Sequence, residues 1–237
     1  MARFQCVSSA GEDDCDCYET RMGDAEVRVV ITGTGRFAAR RAMQGALKET
    51  PDFCIASGFA GALRPEYAPG DVLVAKQVTE IEGGRSLPSD GELMRLAAQV
   101  GAKPVDTFVV SDKIVATSAE KRQLAALGDA VEMEGACVVG AAWQNRVRSV
   151  AIRCVSDTVD RDLPLDFERV FDENGRVSVL RVVGQLARKP TGIIGLLRLA
   201  RDSEQAADAL ARVLHALVQA VGESPWETAK ADAIAAR

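Results

Sequence analysis

The chain has 237 residues, enough for one sizeable core, and its 47% hydrophobic and 27% charged residues are ordinary for a globular protein. A formal charge of -5 without a long basic block argues against nucleic acid as the main partner, because neutralising phosphates needs clustered Lys and Arg. The cysteines (Cys6, Cys15, Cys17, Cys54, Cys137 and Cys154) form neither a disulfide framework nor a metal-ligand spacing. No stretch reads as a signal peptide or membrane span, so a reduced, soluble, cytoplasmic chain that takes no metal is expected.

From Glu26 the pattern repeats as strand, glycine turn and helix. Glu26 to Thr32 alternates and is β-branched, Gly33-Thr34-Gly35 turns the chain, and Phe37 to Lys48 is Ala-rich and helical. Phe53 to Ala56 reads as a short buried strand ending in the loop Ser57-Gly58-Phe59-Ala60-Gly61. Further strands are predicted at Asp71 to Lys76, Thr107 to Val110 and Val150 to Val155. Helices are predicted over Ala119 to Ala126, Gly135 to Trp143 and Glu204 to Val221. The expected fold class is α/β, a three-layer α/β/α single domain over residues 1–222 with a central mixed sheet, followed by a frayed tail at 223–237.

The Gly33-x-Gly35 turn lacks the third glycine of a dinucleotide fingerprint, where Ala38 stands. It also lacks the acid at the end of the next strand, where Ala56 and Ser57 stand, so no nucleotide cofactor is expected. The sole histidine, His215, lies on the C-terminal helix among Leu214, Leu217 and Val218, which leaves no base for a Ser or Cys nucleophile. Acid catalysis by carboxylates remains. Glu134 begins an apolar helix and Asp157 ends a buried strand, and in open α/β sheets ligands bind beyond the carboxyl ends of the strands. An acid beside a purine, with a carboxylate accepting two ribose hydroxyls, would suit cleavage of an N-glycosidic bond. The same residues also suit a helix N-cap and a first-turn acid favoured by the helix dipole, and spacing alone leaves both readings open.

Four segments resemble the purine nucleoside phosphorylase and nucleosidase superfamily, most of all its methylthioadenosine/S-adenosylhomocysteine nucleosidase branch. They are Thr32 to Gly35 with Ala38-Ala39, Ser57 to Leu63 with Pro69 to Val74, Glu132 to Gly135, and Arg153 to Asp157. The resemblance implies hydrolytic release of adenine from a 5′-substituted adenosine, without a cofactor and in a homodimer whose partner closes the 5′ pocket. It makes Asp157 the general acid at purine N7, oriented by Ser156, and Arg153 a holder of the nucleophilic water. Glu134 would hold the ribose hydroxyls and Met133 line the sugar. Ile114, Val115, Ala60 and Gly61 would meet the base, and Thr34 and Phe167 the 5′ group. Ile114 stands where the nucleosidases carry a stacking aromatic, so looser base selectivity is expected. Pro164 to Phe167, with Arg188-Lys189-Pro190, also resembles the hopanoid-associated phosphorylase-like subgroup, for which an adenosyl-hopane substrate is proposed.

Two departures carry expectations of their own. The phosphorylases bind phosphate with an arginine and a serine where this chain has Ala56 and Phe59, so water is the expected nucleophile and a phosphorylase the alternative. The family also begins with a strand and helix bearing a water-activating glutamate, whereas Phe4 to Val27 reads as the hairpin that follows them. The first strand and its base are therefore expected to be missing, which makes an impaired nucleoside-binding homologue a second alternative. Glu12 could imitate that base if Phe4 to Ser8 were the first strand, and otherwise lies in a solvated acidic turn.

Overall fold

The computed structural model describes residues 15–166, 185 and 192–223, together with the backbone of strand β1 (Gln5–Ser8). β1, β2 (Asp16–Met22) and β3 (Ala25–Ile31) form a small antiparallel sheet in the order β1-β2-β3. Gly33 and Gly35 then take positive φ values of 78° and 89°, open to glycine at little cost, and lead into α1 (Arg36–Ala46). Ala39, Ala42 and Met43 recur at helical spacing and are the buried face of α1.

The central sheet contains β4 (Phe53–Ala62), β5 (Val72–Glu80), β6 (Ser86–Pro88), β7 (Lys103–Val110), β8 (Ala130–Glu132) and β9 (Arg148–Asp157). Its order is β6-β5-β7-β8-β4-β9, and β9 pairs again with β5. The pairings thus return to their start, with β4–β9, β5–β7 and β7–β8 parallel and β4–β8 and β5–β9 antiparallel. Closure of this kind leaves the ring strands few open edges. The sequence expectation of a mixed sheet flanked by helices holds, and the ring closure is the feature that hydrophobic periodicity did not reveal.

β9 shows how the layers form. Successive side chains of a strand point to opposite faces. Val150, Ile152 and Cys154 pack toward α2 (Gly91–Gln99) and α5 (Gly192–Glu223), while Ala151 and Val155 join a cluster with α1 and α4 (Gly135–Gln144). Along α5, Ala206, Leu210, Val213, Leu217 and Val221 make one apolar stripe against that second cluster. His215 lies on the exposed side of the same helix. The short helix α3 (Ser118–Leu124) is fixed at its start by a complete capping box between Thr117 and Glu120. No helix among the described residues is long and apolar enough to cross a membrane. The expected tail, apart from Glu223, lies outside the described residues.

Candidate active site

The segment Ser57 to Gly61, expected as a loop, is extended strand, because β4 pairs with β9 throughout and with β8 at its end. Gly61 stands opposite Val131 of β8 and opposite Asp157 of β9, where the β4–β9 register slips between Ala60 and Gly61. Irregularities of this kind re-aim side chains at strand ends. A Cβ on Gly61 would lie 3.0 Å from Asp157 Oδ2, so the glycine leaves the room in which the carboxylate sits.

Asp157 is held from two sides. Ser156 Oγ donates to its Oδ1 at 2.7 Å, and Lys121 Nζ on α3 donates to its Oδ2 at 2.5 Å. The Asp157 side chain retains 15% exposure, while that of Lys121 has none.

Glu134 precedes α4 and reaches α1, accepting from the backbone N–H of Gly35 at 2.6 Å through Oε1. α1 has no side-chain cap of its own at Gly35, so this carboxylate sits at the positive end of the helix. Burial pushes the Glu134 carboxyl above its ordinary range; the Gly35 N–H opposes this and the neighbouring Glu132 carboxylate adds to it. Thr34 is the residue before this Gly35 N–H, and Met133 is half-buried next to Glu134. Arg36 extends the junction by pairing with Glu80 and with Asp112, which ties α1 to the segment carrying Ile114.

Beneath the site lies a second, fully buried pair. Glu132 accepts from Arg153 Nη2 at 2.5 Å, and its two oxygens also take the backbone N–H groups of Glu134 and Gly135. A Cβ on Gly135 would fall 2.6 Å from Glu132 Oε1, so this position requires glycine. Arg153 Nη1 donates to the carbonyls of Ala56 and Ile152. Arg153 Nε has no partner among the described residues, and Gly58 lies beside it, where a Cβ would stand 3.9 Å away.

Val115 is buried in a cluster with Leu63, Val109 and Val131, so its side chain faces the interior. Ile114 beside it is half-buried, and Ala60 is buried one residue before Gly61. A cleft of about 360 Å³ adjoins this segment, lined by Ala116, Thr117, Asp162 to Asp166 and Gln185. Phe167 and Glu12 lie outside the described residues.

The structure therefore brings Asp157, Ser156, Gly61 and Ala60 together, joins Glu134 to the Thr34-Gly35 turn, and links the two groups through β8 and Arg153. The sequence alone assigns no role to Lys121 or Glu132. A lysine on a short charged helix reads as solvated, and nothing in its spacing shows that a loop folds over it. Glu132 was visible as part of a motif, but its burial was not. Burial also pushes the Cys54 and Cys154 thiols up to about 11, well away from a reactive thiolate.

A closed mixed sheet with carboxylates gathered at its strand ends places these acids where α/β folds bind ligands. The family model for the phosphorylase superfamily matches residues 10–187, so the chain belongs to that superfamily and is an enzyme of it. A 5′-methylthioadenosine/S-adenosylhomocysteine nucleosidase of Shewanella sediminis is 28% identical over 193 residues, 70% of this chain and 83% of the relative. One from Tolumonas auensis is 26% identical over 212 residues, 78% of this chain and 90% of the relative. Among solved structures, the Helicobacter pylori nucleosidase of that name, bound to butyl-thio-DADMe-Immucillin-A, superposes with a TM-score of 0.69 at 18% identity, covering 92% of this chain and 89% of the other. Futalosine hydrolase of the same organism gives 0.69 at 18% identity, covering 92% and 88%. These structural likenesses define the fold.

Proposed function

We propose that the chain hydrolyses the N-glycosidic bond of a 5′-substituted adenosine and releases adenine. The observation that carries this reading is Asp157 beside Gly61 at the end of β9, with Glu134 anchored to the Gly35 turn from the neighbouring β8–α4 junction. The nucleosidases among its relatives support the same chemistry. Asp157 gives its proton to N7 as the C1′–N9 bond breaks and the bonding pair leaves with the purine. Ser156 keeps the carboxyl oriented. Glu134 accepts the ribose hydroxyls with the oxygen not committed to Gly35. Ile114 and Val115, with Ala60 and Gly61, border the base, and Met133 the sugar.

Water is the nucleophile in this reading, because Ala56 is buried and Phe59 is an exposed phenyl ring, and neither offers phosphate a cation or hydroxyl. The Nε–H of Arg153 on the Gly58 side suits a water held there. The 5′ substituent is assigned to the side of the cleft at 116–117 and 162–166, one residue before Phe167 and next to the base segment. We assign the chain a homodimer that closes this pocket, which sedimentation at micromolar concentration checks. An adenosyl-hopane belongs among the 5′ groups to be tried.

A second reading, a nucleoside-binding homologue with slow turnover, is favoured by one observation. Among the described residues β1 pairs with β2 in the small sheet and with no strand of the central sheet. Loss of a general base costs about 10²- to 10⁴-fold in rate.

Chromatography of purine release from a panel of 5′-substituted adenosines, with and without phosphate, tests the proposal. Free adenine and free ribose derivative at equal rates in both conditions are expected. Strict dependence on phosphate, with ribose 1-phosphate as product, would overturn hydrolysis, and tight binding without release would favour the second reading.

A further inference from the structure

Lys121 has no role in the chemistry above, yet it is the charged group nearest the acid. A fully buried ammonium is costly unless its donors are matched. Here all three are: Asp157 Oδ2 at 2.5 Å, and the carbonyl oxygens of Thr158 and Arg161 at 2.9 Å each. The three acceptors come from one short stretch, residues 157–161, which runs from the end of β9 into the next turn. The lysine comes from α3, whose start is locked by the Thr117–Glu120 box. Other contacts join the same two segments, with Ser118 N–H donating to Asp162 Oδ1, Leu163 N–H to the Ala116 carbonyl, and Arg122 pairing with Asp160 at the surface. Among the described contacts of α3, that of Lys121 is the one made with Asp157.

We propose that Lys121 is a positioning residue for the glycosidic-bond cleavage: it fixes the rotamer of Asp157 and stabilises the carboxylate left when the proton has passed to the purine. The inference rests on the reading of Asp157 as the acid. For the step a proton enters on the Asp157 carboxyl from its open side, and the carboxylate–ammonium pair is the state to which the site returns. As C1′–N9 breaks, that proton moves to N7 and the bonding pair goes to the base, leaving a carboxylate on which the Lys121 ammonium already rests. Water then supplies the hydroxyl that ends on C1′, and its proton returns to solvent in place of the one taken up. An interaction that strengthens as the negative charge forms lowers the barrier more than it strengthens substrate binding. The other charges around the acid are already matched: Arg153 faces Glu132 below it, Arg122 faces Asp160, and Arg161 faces Asp202 at 3.6 Å.

The test compares wild type with Lys121→Met, Lys121→Arg, Arg122→Ala and Asp157→Asn, using 5′-methylthioadenosine as probe and reading kcat, KM, the pH dependence of kcat and thermal unfolding. Lys121→Met should lower kcat by about 10- to 100-fold, with KM within about threefold of wild type, and alter the shape of the kcat–pH profile. Lys121→Arg keeps the charge but presents a planar fork that cannot reach all three acceptors, so it should regain part of the lost rate. Arg122→Ala cuts a surface tie between the same segments and should leave kcat within about twofold. If Lys121→Met does not fold, Lys121→Arg decides: a several-fold fall in kcat at constant KM supports the proposal, and a wild-type kcat overturns it. A wild-type kcat in Lys121→Met also overturns it, as does a parallel loss of kcat, KM and stability with an unchanged pH profile, which is what a purely structural lysine would give. A wild-type rate in Asp157→Asn would instead remove Asp157 as the acid, whatever the lysine variants do.

Discussion

Two carboxylate–cation pairs lie near the ends of β8 and β9, and their surroundings separate their duties. Glu132–Arg153 is sealed, with 0% and 2% of the side chains exposed, and Glu132 spends its remaining acceptor capacity on the backbone of the Glu134–Gly135 turn. Lys121–Asp157 is sealed on the lysine side and open on the aspartate side, where 15% of the side chain is accessible. A pair closed on both sides can shape a pocket but not exchange a proton with a ligand. A pair open at its acid can do both. The contrast teaches that in this fold the residue types of a motif do not assign its chemistry; access does. Arg153, read from its motif as a holder of water, commits both Nη atoms to the scaffold and leaves its Nε–H for that task.

The sealed pair gives the largest expected effect. Arg153→Met leaves the Glu132 charge buried without its cation, which should cost about 3–5 kcal/mol of folding stability, read from the denaturant midpoint. If that variant unfolds at the wild-type midpoint, the pair is not the brace described here.

Glu134 lies between the two pairs in character, and Glu134→Gln sharpens the contrast. A neutral amide has one acceptor oxygen, and the Gly35 N–H occupies it, so affinity for an uncleaved adenosine analogue should fall about tenfold by calorimetry. The variant also carries a pH signature. Because burial raises the Glu134 carboxyl in the folded state, its stabilising contribution is complete below the unfolded value of about 4.3 and is lost as pH rises through the raised folded value. The stability of wild type relative to Glu134→Gln should therefore decline with rising pH across that window. A difference that stays flat between pH about 4 and 8 would contradict the burial of this group.

The smallest effect concerns Gly61. Its Cβ in Gly61→Ala would meet Asp157 Oδ2 at 3.0 Å and Val131 Cγ1 at 3.5 Å, so the acid must shift slightly. A loss of about three- to tenfold in kcat with little change in unfolding temperature is expected. An equal loss of stability would place Gly61 with the scaffold instead.

Much of the fold was legible because strands and helices carry strong periodic patterns. β3, β5, β7 and β9 and helices α1 and α4 lie where alternation or Ala-rich helical spacing predicts them. Other elements are set by tertiary context. Ser57 to Ala62 contains two glycines and looks like a turn, but strands on either side hold it extended. Helix α2 begins at Gly91, directly after Ser89-Asp90. It forms because Asp90 accepts from the N–H groups of Glu92 and Leu93 while Arg148 from β9 grips its carboxylate. In the candidate site, Asp157 and Glu134 stood out as acids at element boundaries. Lys121 did not, since its role depends on a turn about 40 residues later in the chain closing over it.

The most direct test of Asp157 as the proton donor is single-turnover adenine release at saturating 5′-methylthioadenosine by wild type and Asp157→Asn, alongside calorimetric binding of a non-cleavable adenosine analogue. Release slower by a factor of about 10² or more, with affinities within about threefold, is the result expected for a lost general acid whose pocket is intact. Equal release rates would contradict it and return Asp157 to the part of a strand-end cap.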